Sequence, residues 1–68
     1  MDLKKSTGDK LRELRGDMSQ AAIAQKIGLT TSAWAMYERG ERTPRDEAKI
    51  KIARHFGVSI GELFYGEK

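Results

Sequence analysis

Apolar residues recur along this chain at helical intervals, punctuated by glycines and hydroxyl side chains. Within residues 19–39, Ile23, Ala24 and Ile27 fall at i, i+1 and i+4, which gives a short helix one apolar face. Gly28 stops that helix, because only a residue tolerating positive φ ends one so abruptly. Leu29 points back inward, and the Thr30 hydroxyl can cap a second helix by accepting from backbone N–H groups two or three residues on. Along that helix Trp34 and Tyr37 stand three apart and share a face. A three-residue connection makes the two helices cross closely, and the methyl side chain of Ala24 allows the approach.

The flanking pattern predicts three more helices. Residues 6–9 have capping-box form, with Ser6 as cap and Asp9 three residues later. A helix follows to about Arg15, with Leu11 and Leu14 on one side, and Gly16-Asp17 ends it. Gly40 closes the motif as a C-cap, and residues 41–44 form a loop. Pro44 is then expected at the first helical position, with Asp46 near the positive helix end. Ala48, Ile52, Ala53 and Phe56 make that helix's apolar face, and Ile50 falls off the stripe. Gly57 stops it. Residues 59–62 form a second capping box that opens a last short helix, where Val58, Ile60, Leu63 and Phe64 close the core. The expected fold is all-α, a five-helix bundle without strands. Residues 1–5 are a frayed lead with solvated Lys4 and Lys5, residues 6–65 the domain, and residues 66–68 a tail.

Size and composition narrow the chemistry. Sixty-eight residues make one small domain, and the absence of cysteine removes both disulfides and thiolate metal sites. With no cysteine and a single histidine, neither a structural zinc site nor a catalytic His-based dyad is expected in one chain. No glycine-rich phosphate loop is present, so neither an enzyme nor a cofactor is expected. No apolar run approaches the roughly 18 residues of a membrane span, and no signal peptide opens the chain, so a cytoplasmic protein is expected. The net charge of +3 leans mildly toward a polyanion, although 34% charged residues of mixed sign also describe an ordinary surface. Position is more telling, since Arg39, Arg42 and Arg45 cluster just after the second helix of the motif.

These residues resemble a known family. SQAAIAQKIGLT, followed by YERGERTP and KIARHFGVSIGELF, is similar to the Cro/repressor type of helix-turn-helix regulator, also called XRE. The resemblance covers residues 11–64. It implies a phage-repressor fold with the helix-turn-helix at the second and third helices. The helix at about 31–39 would lie in the major groove of double-stranded DNA. By alignment with the family, Thr31, Ser32 and Met36 would read base edges, with Ala35 on the same outward face. Gln20 aligns with a glutamine that contacts the DNA backbone. Thr30, Arg39, Arg42 and Arg45 would also grip phosphates.

Two features depart from the family's pattern. The connection after the first helix is about two residues short. The reading face also carries no Arg, Lys, Asn or Gln, the side chains that bond two edge atoms of one base at about 1–3 kcal/mol of discrimination each. Contacts with thymine methyls, water-mediated contacts and DNA shape are expected in their place.

The resulting expectation is a transcriptional repressor, bound as a homodimer to a two-fold symmetric operator, with Ile60, Phe64 and Tyr65 at the dimer contact and no small-molecule ligand. The chain ends soon after the last helix, and a complete protein is expected. The same fold also serves antitoxins and restriction-modification controllers. Outside DNA binding, the alternative is a protein-interaction module that uses the motif's outer face.

Overall fold

The first helix, α1 (Leu3–Arg15), already shows where tertiary packing overrides local signals. Thr7 and Gly8 are poor helix formers, yet both are buried within it. The computed structural model describes residues 3–65. The helix begins three residues before Ser6, so Ser6 lies inside α1 and is not its cap, and residues 3–5 of the expected lead are helical. Residues 1–2, the side chains of residues 3–6 (Lys4 and Lys5 among them), and the tail at 66–68 lie outside the described residues.

The other helices are α2 (Gln20–Ile27), α3 (Thr31–Arg39), α4 (Asp46–Phe56) and α5 (Ile60–Phe64), with no strand among the described residues. Ser19, Thr30 and Ser59 each cap a helix, accepting at 3.0 Å from the N–H of Ala22, Ala33 and Glu62. The fourth helix departs from expectation. Arg45 is its cap residue, in extended backbone with no side-chain hydrogen bond, so Pro44 sits one position before the cap and packs inward. Asp46 and Glu47 occupy the first turn, where the helix end favours negative charge.

The core gathers Leu11, Ile23, Ala24, Ile27, Trp34, Tyr37, Ile52, Leu63 and Phe64. Val58, Ile60, Phe56, Leu29 and Met18 pack around it, and Ile50 is exposed as its position off the stripe predicts. Leu14 is a correction: it lies at the edge of the stripe that α1 buries, beyond the core, and is 37% exposed. Helix α3 is the centre of the arrangement, packed against α1 on one side and α2 on the other. Helix α5 closes the bundle against α1 and α4, and Lys10 Nζ donates to the Glu62 carbonyl at 2.8 Å.

Gly8 explains how closely α1 rides on α3. A Cβ built there would strike the Glu38 carbonyl oxygen and lie 2.9 Å from both the Glu38 carbonyl carbon and the Tyr37 oxygen. These are backbone atoms and cannot swing aside. A close helix crossing is thus made by a glycine in α1, in addition to Ala24 in α2.

Candidate nucleic-acid interface

The turn between α2 and α3 is built as the local residues dictate. Gly28 takes φ 90°, and its N–H donates to the Ala24 carbonyl at 2.9 Å. The Leu29 N–H donates to that same carbonyl at 2.8 Å, which closes the helix end and sends Leu29 toward the core. Ala24 is fully buried at the crossing. Together these contacts fix the direction in which α3 leaves the turn.

One face of α3 is anchored by a buried acid. Glu38 is 3% exposed and lies one turn beyond Trp34 on the inward side. Its carboxylate accepts from Arg15 Nε at 2.6 Å, Arg15 Nη2 at 3.1 Å and Gln20 Nε2 at 3.3 Å, and also from Trp34 Nε1. Arg12 adds a longer ion pair at 3.8 Å. Arg15 reaches the Met18 carbonyl as well, at 2.7 Å, tying the end of α1 to the start of the motif. Burial pushes the Glu38 carboxyl up. The hydrogen bonds from Arg15, Trp34 and Gln20, with the charge of Arg15, outweigh that and hold it below its ordinary value. The same contact raises the Arg15 guanidinium. Glu38 is thus an interior group with its partners supplied.

The opposite face of α3 is open. Thr31 and Ser32 are exposed, and Ala35 and Met36 are half-buried. None carries a negative charge, and Glu38, the acid of this helix, points inward. Beyond the helix, Gly40 provides a left-handed C-cap, and Arg42 and Arg45 stand exposed in no ion pair among the described residues.

Comparison with known proteins agrees with this geometry. A family profile described as Helix-turn-helix matches residues 10–63. The chain is 38% identical over 56 residues to the cryptic phage CTXphi transcriptional repressor RstR of Vibrio cholerae, covering 79% of this chain and 50% of that protein. It is 31% identical over 51 residues to the uncharacterized HTH-type transcriptional regulator MJ0272 of Methanocaldococcus jannaschii, covering 75% of this chain and 77% of that one. A third relative, the uncharacterized HTH-type transcriptional regulator YqaE of Bacillus subtilis, is 36% identical over 50 residues, or 74% of this chain and 43% of the relative. The chain belongs to the XRE-type helix-turn-helix family of DNA-binding regulators. It spans half the length of the Vibrio repressor. No solved structure matches.

In the XRE-type frame α3 is the second helix of the helix-turn-helix. Thr31, Ser32, Ala35 and Met36 come together on its outward side, with the Thr30 cap at its start. Two residues assigned to the DNA backbone are already engaged within the chain. Gln20 turns its amide nitrogen to Glu38, and Arg39 Nε pairs with Glu41 Oε2 at 2.6 Å. That second pair is exposed on both sides, so exchanging Glu41 for a phosphate costs only about 0–1 kcal/mol.

The residues expected at a dimer contact divide. Phe64 is 5% exposed and belongs to its own chain's core, which corrects the expectation of an interface side chain there; Ile60 is half-buried and Tyr65 exposed. His55 is exposed and meets the Phe56 ring edge-on at 4.9 Å. No group of three His, Asp or Glu side chains gathers for a metal among the described residues, and no helix there is long and apolar enough to cross a membrane.

Sequence reasoning missed the Arg12, Arg15 and Glu38 cluster. One signal was present: Glu38 follows Trp34 by four residues and so shares its inward face.

Proposed function

We propose that this XRE-type domain binds a two-fold symmetric operator in double-stranded DNA as a homodimer in the cytoplasm and represses transcription by occupying it. The observation that carries the reading is the division of α3. Its acid, Glu38, is buried and paired, which leaves an outward face of Thr31, Ser32, Ala35 and Met36 with no charge to repel phosphates. These four read bases through thymine methyls and bridging water. Thr30, Gln20, Arg39, Arg42 and Arg45 hold the backbone around them. Each neutralised phosphate releases counterions, so affinity falls steeply with salt.

One recognition helix covers too few base pairs to choose a site in a genome. Two helices about 34–36 Å apart, one DNA turn, suffice. Ile60 and Tyr65, at the α5 end of the chain, are the proposed dimer contact. The Vibrio relative is a transcriptional repressor by name, which supports the direction of regulation.

Selection from a random double-stranded DNA pool at moderate salt tests the reading. The expected product is an inverted repeat with half-site centres about 10 base pairs, or a multiple, apart. Retention without sequence enrichment, fading uniformly as salt rises, would leave only the arginines at work and contradict it.

A further inference from the structure

A second buried charge lies on α4, beside a cavity that Tyr37 of α3 helps to line, and it is satisfied quite differently. Lys49 of α4 is 8% exposed, yet among the described residues no carboxylate lies within ion-pair distance of it. Lysine is almost never buried unless paired. Its ammonium donates to the Tyr65 hydroxyl at 2.6 Å and lies 4.7 Å from the Tyr65 ring centre and 5.7 Å from that of Phe64. Aromatic faces attract a cation but do not neutralise it. One phenol uses one of its three N–H donors.

Beside this group is a cavity of about 230 Å³, lined by Lys49, Tyr65, Phe64, Tyr37, Pro44 and Arg42 among others. Its walls combine two cations, two phenols and apolar ring surface, and no acid among the described residues lines it. Drug-sized ligands occupy about 300–1,000 Å³, so this space suits something smaller. A duplex phosphate needs cations that stand out from the surface, as Arg42 and Arg45 do, and Lys49 does not.

We propose that this cavity binds a small organic anion, a carboxylate or a phosphate monoester on a compact apolar body, with Lys49 as its main cation and Arg42 as the second. The aromatic and proline side chains hold the body, while Tyr65 orients the ammonium. If Arg42 also grips DNA, the anion competes for it, and the occupied domain binds its operator more weakly. Only that regulatory consequence rests on the DNA-binding reading; the anion site is argued without it, although it shares Tyr65 with the proposed dimer contact.

The test is an amide NMR titration of the whole chain with benzoate and with phenyl phosphate, without DNA, against sodium chloride at equal ionic strength. Saturable shifts are expected at Thr43, Lys49, Phe64 and Tyr65, and not with chloride. Lys49→Met keeps the apolar stem and removes the ammonium, and should weaken binding at least on the order of tenfold. Shifts that never saturate, that centre on Arg39 and Arg45, or that persist unchanged in a folded Lys49→Met chain would overturn the proposal. If that variant does not fold, the parent's shift pattern and the chloride control decide alone. Adding either anion to the operator complex should then release DNA. Anion binding without release would overturn the competition through Arg42 and leave the site itself in place.

Discussion

The two faces of α3 differ in almost every physical respect. The inward face, with Trp34, Tyr37 and Glu38, is buried against α1 and α2, and its one charge has its hydrogen-bond donors supplied by Arg15, Gln20 and Trp34. The outward face, with Thr31, Ser32, Ala35 and Met36, is exposed or half-exposed and carries no charge. A domain of this size must use most of its helices to make a core. Here one nine-residue helix both anchors the bundle and leaves a side free for a ligand. The division predicts that substitutions inward change stability, and that substitutions outward change recognition alone.

The largest effect is expected from Gly8→Val, which drives a branched side chain into the backbone of α3. It should cost about 3 kcal/mol, the upper end for overpacking, and denaturant unfolding measures it directly. A cost below about 1 kcal/mol would mean that α1 can back away from α3, and the anchored face would be less fixed than described.

Next comes Glu38→Gln, expected to lose about 1–3 kcal/mol as Arg15 gives up its charged partner. The acid dependence sharpens the point. Because the folded Glu38 carboxyl lies below its ordinary value near 4.5, its contribution is complete above that pH. It is lost as pH falls through the lower folded value. Acid unfolding followed by Trp34 fluorescence should therefore be steeper below pH 4.5 in the parent than in Glu38→Gln. Equal slopes would show that the carboxylate gains nothing from its donors.

Arg45→Ala should leave stability unchanged and lower the slope of log affinity against log salt by about 0.9, uniformly across DNA sequences. Arg39→Ala should do less, because Glu41 already shares its charge. Thr31→Ala, Ser32→Ala and Met36→Ala should each keep stability within about 0.5 kcal/mol of the parent by thermal unfolding.

The helix-turn-helix was legible in the sequence because its signals are local. Gly28 needs its left-handed backbone, Thr30 caps three residues on, and the spacing of Trp34 and Tyr37 shows which way α3 faces. What escaped depends on residues far apart in the chain. Gly8 reads locally as a helix breaker and is explained only by the carbonyls of Tyr37 and Glu38 that pass over it. Ser6 looked like a cap because Ser-x-x-Asp is a short pattern, whereas packing against α3 holds the helix together through Thr7 and Gly8. Pro44 looked like a first helical residue, but the extended backbone at Arg45 delays the helix past it.

Charge sorting was the least legible. Helical phase relative to Trp34 and Ile52 sends Glu38 and Lys49 inside, whereas Glu41 lies beyond the end of α3 and Lys51 faces out, and charge type alone separates none of them. The outward face was readable as a surface, since it is what the core residues of α3 leave over.

The most direct test of the division compares the parent with the combined Thr31→Ala, Ser32→Ala and Met36→Ala chain on the selected operator and on a scrambled duplex of equal length. The account predicts that the triple variant folds as stably as the parent and keeps its affinity and salt slope on the scrambled duplex. It should lose most of its preference for the operator. Unchanged preference would contradict the assignment of the outward face of α3 as the reading surface.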